Sequence, residues 1–149
     1  MQHKTAKYNP DKYQLKGKNK SSKTAKPEQP KTKVPEGWFY MSARSITVAD
    51  LRDMLADSGY DIEIWEAAGV LEVGIEEKLS VDIETLDTDL GDAFSNEFVA
   101  EHGIQSIFYL SFPSKEYPKC RPVLERLASC EGGMICGDTE NFEPIMGLR

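Results

Sequence analysis

The chain contains 149 residues, of which 40% are hydrophobic, and its formal net charge is −7. This length suits one domain, since single cores commonly comprise about 100–150 residues. No stretch approaches the roughly 20 apolar residues of a membrane helix. Residues 1–30 also contain no apolar signal segment. We therefore exclude membrane, collagen-like and disulfide-scaffold classes and expect a cytoplasmic protein that makes no contact with a membrane.

Opposite charges are separated along the chain. Residues 1–36 contain ten lysines and three acidic residues, which gives this segment a net charge of +7. Residues 37–149 contain eight basic and 22 acidic residues, which gives them a net charge of −14. Each segment would attract a different kind of partner. The sequence predicts a basic tail or linker over residues 1–36 and an acidic globular domain over residues 37–149.

The basic tail has too little apolar surface to offset the entropy of ordering it, so we expect a disordered, solvated extension. Two alternatives remain open. The lysines could neutralise phosphates while Tyr8 and Tyr13 stack on bases, which would make the protein a nucleic-acid-associated accessory protein. Translation could instead start at Met41, in which case the preceding residues are an upstream start-site artefact.

The first half of the acidic domain predicts one helix and a group of strands. Residues 38–40 are aromatic and predict a short strand or a plug over the core. Thr47 and Asp50 approximate a capping box that opens a helix over residues 48–58, and Gly59 would end it. Apolar and acidic residues then alternate over residues 62–65, 71–75 and 79–84, the pattern of half-buried strands. They predict an antiparallel meander with one apolar and one acidic face.

The second half alternates helices with more continuous strands. Asp89 is available to cap a helix over residues 92–101. Residues 104–112 are nearly continuously apolar, which predicts a central strand covered on both faces. A third helix, a short buried strand and a closing strand or loop follow over residues 117–129, 134–136 and 138–149. The whole pattern predicts a single small α+β domain, a mainly antiparallel sheet with about three helices covering one of its faces.

No catalytic or cofactor motif organises the reactive residues. Cys120, Cys130 and Cys136 form no CxxC pair, and His3 and His102 are the only histidines. A zinc site has poor support from this spacing, and so does a papain-like pairing of a cysteine with His102. Phosphate-binding glycine loops and nucleophile elbows are absent. We therefore expect a protein that is not an enzyme and that binds no cofactor or metal.

Acidic residues are concentrated between Glu76 and Glu101, where nine carboxylates accompany one lysine. Such a block is typical of a solvated acidic surface, or of a docking face for a basic partner. The docking interpretation predicts a small intracellular interaction protein, an acidic inhibitor or immunity-type module that binds a basic protein such as a nuclease or toxin. The residues expected to contact the partner are five acidic residues and one aromatic anchor: Asp82, Glu84, Asp87, Asp89, Asp92 and Trp65. Trp65 is equally consistent with a core position. The sequence does not predict an oligomeric state.

Overall fold

Seven strands and three helices make up the part of the chain that the structure describes, residues 34–147 of a computed structural model. The strands are β1 (Gly37–Ser42), β2 (Asp61–Trp65), β3 (Val70–Glu76), β4 (Leu79–Leu86), β5 (Ser106–Ser111), β6 (Gly133–Gly137) and β7 (Ile145–Met146). The helices are α1 (Val48–Met54), α2 (Ala93–Glu101) and α3 (Tyr117–Ala128). These elements form a single small domain, which confirms the predicted α+β fold.

All seven strands belong to one antiparallel sheet with the order β2-β3-β4-β5-β1-β6-β7. The first of the described strands, β1, therefore lies between β5 and β6 rather than at an edge. All six residues of β1 are buried, so the aromatic residues 38–40 form a central strand and not a plug. A chain that began at Met41 would lack Gly37–Tyr40, four of the six residues of this strand.

Two helices cover one face of the sheet. In β1 the indole of Trp38 stacks on Tyr117, with ring centroids 5.5 Å apart. Tyr117 begins α3, whose Val123, Leu124 and Leu127 are fully buried. Helix α1 packs beside it against β2 and β3. Because these side chains recur at i, i+3 and i+4 or i+7, each helix turns one apolar stripe toward the sheet.

The third helix lies on the opposite face, which differs from the prediction that all helices cover one face. Phe39 follows Trp38 in β1 and therefore points to the other side of the sheet. Its ring contacts Phe142 at 5.7 Å, and Phe142 stacks on Phe98 of α2 at 4.3 Å. Helix α2 and the Phe142 segment thus cover the half of this face near β1. On this same face, no helix among residues 34–147 covers the half formed by β2, β3 and β4.

The predicted helix boundaries are correct at some ends and wrong at others. Thr47 is the N-cap of α1, and the Asp50 carboxylate accepts a hydrogen bond from its backbone N–H at 2.8 Å. The predicted end of this helix is wrong, because α1 ends at Met54 and a separate 3-10 turn over Ala56–Ser58 follows it. Gly59 ends that turn with a φ of 82°, a conformation that favours glycine. The prediction that Asp89 caps the second helix is wrong. Asp92 is the N-cap of α2, because its carboxylate accepts a hydrogen bond from the Ser95 backbone N–H at 2.7 Å.

None of the helices within residues 34–147 combines the length and the apolar character that crossing a membrane requires. The predictions for the basic tail concern mostly residues 1–33, which lie outside the described residues.

Two buried tyrosines provide a matched test of the core. The Tyr40 hydroxyl is buried without a hydrogen-bond partner among the described residues, whereas the Tyr109 hydroxyl donates to Asp138 Oδ2 at 2.6 Å. We expect Tyr40→Phe to leave the free energy of unfolding unchanged or slightly raised, because it removes an unsatisfied buried hydroxyl. Tyr109→Phe should lower it by about 2 kcal/mol, because Asp138 loses a charge-assisted hydrogen bond. Urea denaturation of both variants measures the difference, and equal destabilisation would contradict it.

Candidate protein-binding surface

The uncovered half of the sheet presents a continuous acidic surface. Successive side chains of a strand point to opposite faces, and directly paired residues of neighbouring strands share a face. The pairing of β2, β3 and β4 therefore brings one set of residues together on the side away from α1 and α3. We call this set the acidic sheet face: Asp61, Glu63, Trp65, Val70, Glu72, Ser80, Asp82 and Glu84.

Three carboxylates stand in one row across this face. Glu63 of β2 pairs directly with Glu72 of β3, and Glu72 pairs directly with Asp82 of β4. Neighbouring strands lie about 4.8 Å apart, so the row places three like charges within about 10 Å. Like charges directly opposite each other destabilise a sheet. The register therefore introduces electrostatic repulsion that lowers the stability of the free protein and that folding alone does not require.

Most of this charge is uncompensated within the described domain. Asp61, Glu63 and Glu72 make no ion pair or hydrogen bond through their side chains to any other described residue. By contrast, Glu76 at the end of β3 lies 3.1 Å from Lys119 Nζ. The Lys119 ammonium group donates a hydrogen bond to Glu76, and this carboxylate raises the pKa of Lys119, as a neighbouring negative charge does for a cation.

The acidic sheet face continues into a shallow depression of about 710 Å³. Asp61, Glu63 and Glu72 line it together with the turn between β3 and β4, which contributes Glu77 and Lys78. One lysine at the rim leaves the depression strongly negative. A depression of this size and charge can receive the side chains of a cationic partner, because charge complementarity at an interface orients and steers association.

Three of the six residues expected to contact a partner lie on this face. Asp82 and Glu84 alternate with the buried Val81 and Ile83, as the sequence predicts. Ser80 donates a hydrogen bond to Asp82 at 3.2 Å. Trp65 lies in the same cross-strand row as Glu84, and its side chain is 48% exposed. Of its two predicted roles, core residue or surface anchor, the exposure of Trp65 favours the surface one.

The other three expected contacts build the connection from β4 to α2. Asp87 accepts a hydrogen bond from the Asp89 backbone N–H at 3.0 Å. Asp89 accepts from the Asn96 side chain at 2.9 Å and from the Gly91 backbone at 3.0 Å. Both bonds lower the pKa of Asp89, with that from Asn96 the larger cause. These hydrogen bonds, together with the N-cap made by Asp92, stabilise the turn between β4 and α2. This structural role explains the three aspartates without a binding partner.

Asp61, Glu63 and Glu72 belong to the acidic sheet face but precede the acidic block that the sequence analysis selected. The alternation of acidic and apolar residues could have identified them, since Glu63 lies between Ile62 and Ile64 in β2. Local charge density missed them, because they lie in β2 and β3, outside the acidic block of residues 76–101. Only the register of the three strands aligns them.

A second cavity brings Cys130 and His102 together without pairing them. Both residues line a cavity of about 370 Å³ near the start of β6. His102 follows α2 and its Nδ1 lies 2.9 Å from the Phe98 carbonyl oxygen, while the Cys130 thiol lies 3.5 Å from the Arg126 carbonyl oxygen. Each side chain thus contacts a helix-terminal carbonyl, and the described residues contain no hydrogen bond between the two. Within residues 34–147 no group of three or more potential ligands is arranged around a metal position.

The three cysteines should differ sharply in reactivity. Burial raises the pKa of Cys120 to about 11 and that of Cys136 to about 12, whereas Cys130 is only half-buried. Because the thiolate is the nucleophile, iodoacetamide at pH 8 should alkylate Cys130 rapidly and the other two only after unfolding. Mass spectrometry of native and urea-unfolded protein measures this, and Cys130→Ser should remove the fast-reacting thiol. Native alkylation of Cys136 at the rate of Cys130 would contradict it.

The helix-capping role of Asp92 can be separated from its charge. We expect Asp92→Ala to lower the free energy of unfolding by about 1 kcal/mol, because the first turn of α2 loses its N-cap acceptor. Glu97→Ala, on the same helix, removes an equal charge from an exposed position and serves as the control. Thermal or urea denaturation measures both variants. Equal stability of the two would show that Asp92 acts only through its charge.

Comparisons with known proteins add no family to this picture. No family model matches the chain, and no curated protein or solved structure matches it.

Proposed function

We propose that the protein is a small cytoplasmic interaction module whose acidic sheet face binds a basic protein, in the manner of an acidic inhibitor or an immunity-type protein. The observation that carries this proposal is the direct pairing of Glu63, Glu72 and Asp82 across three strands. Such a row costs stability in the free protein. A cationic surface that covers the row turns this repulsion into attraction, so the cost is compensated on binding.

The acidic sheet face also has the composition of an interface. Trp65 offers a large exposed aromatic side chain next to the charged row, and tryptophan is enriched among residues that dominate binding energy. Val70 lies directly beside it in the neighbouring strand and extends the apolar contact. An aromatic anchor beside a field of one sign combines affinity with electrostatic steering. The cysteines of the described domain are free thiols, which agrees with a reducing compartment such as the cytoplasm.

The proposal is tested by neutralising the row without changing its shape. The double variant Glu63→Gln/Glu72→Gln removes two charges from the acidic sheet face, and Asp57→Asn/Glu97→Gln removes two charges from exposed positions elsewhere. The tagged proteins are used as baits in extracts of the native host, and the captured proteins are quantified by mass spectrometry. We expect the wild type and the control to capture the same basic protein, with about tenfold less recovered by the face variant.

Salt dependence provides the second measurement. With the captured partner in purified form, affinity for the wild type should fall steeply as ionic strength rises, and the face variant should show a shallower dependence. Equal recovery by the face variant and the control would contradict the proposal. Failure of the wild-type bait to capture any basic protein would contradict it as well.

A further inference from the structure

The sheet has two edges, and they differ in how far they are protected. β7 is an edge strand of two residues, and such short edges offer little to pair with. β2 is an edge strand of five residues with the sequence Asp-Ile-Glu-Ile-Trp. It contains neither lysine nor proline, and its two charged residues, Asp61 and Glu63, are both acidic, so they repel an acidic strand but not a cationic one. No described strand pairs with its outer side.

The apolar side of β2 is also left partly uncovered. Ile62 and Ile64 pair with Val73 and Leu71 of β3, which are both fully buried. The two isoleucines themselves are only half-buried, although they lie on the side of the sheet that α1 covers. The apolar layer therefore continues to the outer edge of β2 and ends there in contact with solvent. One more strand would complete the burial of these side chains.

We infer that the outer edge of β2 binds an extended segment of the basic partner as an eighth strand, with alternating cationic and aliphatic residues. This inference rests on the proposed function and specifies how the partner is held. Main-chain hydrogen bonds to β2 supply affinity that does not depend on sequence. Cationic residues then face Asp61 and Glu63, and aliphatic residues face Ile62 and Ile64, because the side-chain period of a strand is two.

Charge argues against a second copy of this chain as the occupant. Antiparallel pairing of two β2 strands about their centre would place Glu63 opposite its own copy and would extend the acidic row. Like charges directly opposite each other are destabilising, so self-pairing at this edge is disfavoured. A cationic strand at the same place meets Glu63 with the opposite charge and continues the sheet without this penalty.

The test uses two synthetic peptides of identical composition, four lysines and four valines, in alternating and in block order. Affinity for the wild-type protein is measured by isothermal titration calorimetry, and strand pairing is measured by NMR hydrogen exchange of the β2 amides. The alternating peptide should bind at least about tenfold more tightly than the block peptide and should slow exchange in β2. Ile64→Lys, which leaves the acidic sheet face intact, should abolish this preference for the alternating peptide.

The outcomes distinguish this inference from the proposed function. Equal affinity for both peptides, with unchanged exchange in β2, overturns strand addition and leaves an acidic sheet face that binds cations by charge alone. Binding of neither peptide at low salt overturns both. Dimerisation of the wild type in sedimentation, lost in Ile64→Lys, overturns the inference in favour of a second copy at the same edge.

Discussion

The structure depends on the requirement that β1 be covered on both of its faces. Its six residues are all buried, and Trp38 and Phe39 point to opposite sides of the sheet. On one side α3 supplies Tyr117, and on the other side α2 and the Phe142 segment supply an aromatic cluster. Tyr109 of β5, paired with Phe39, ties this cluster to the C-terminal segment through its hydrogen bond to Asp138. The layers of the described domain are therefore organised around β1.

The same arrangement explains why the acidic sheet face stays uncovered. A nine-residue helix such as α2 is about 14 Å long, and its aromatic contacts hold it over β1. The three strands on the far side of β5 are left with one covered and one uncovered face. Their alternating carboxylates suit an uncovered face, since acidic side chains are rarely buried without partners. Negative charge thus collects where the fold supplies no cover, beside an edge strand whose outer side pairs with no described strand.

Much of the fold could be read from local sequence. The capping box at Thr47 and the apolar run that forms β5 each depend on residues close together in the chain, so the local pattern was enough to predict them. The N-cap was assigned to the wrong aspartate because an Asp side chain can either cap a helix or stabilise a turn. Asp89 and Asp92 are the same residue type three positions apart, so the sequence does not distinguish their roles. Their roles were decided by Asn96, which donates to Asp89 and fixes where the helix begins. For the candidate surface, the sequence identified Asp82, Glu84 and Trp65 and omitted Glu63 and Glu72.

By itself the sequence determined the class of fold, the elements, and the rule that acidic and apolar residues occupy opposite faces of β2, β3 and β4. These features follow from periods of two and 3.6 residues, which are local properties of the chain. Only the tertiary structure decided that β1 lies inside the sheet between β5 and β6, that α2 covers half of the opposite face, and that Glu63, Glu72 and Asp82 share one row. The position of β1 depends on pairing between segments distant in sequence, and the row depends on the register of three consecutive strands. A shift of one residue would move every side chain to the other face, so register is set by core packing and turn geometry together.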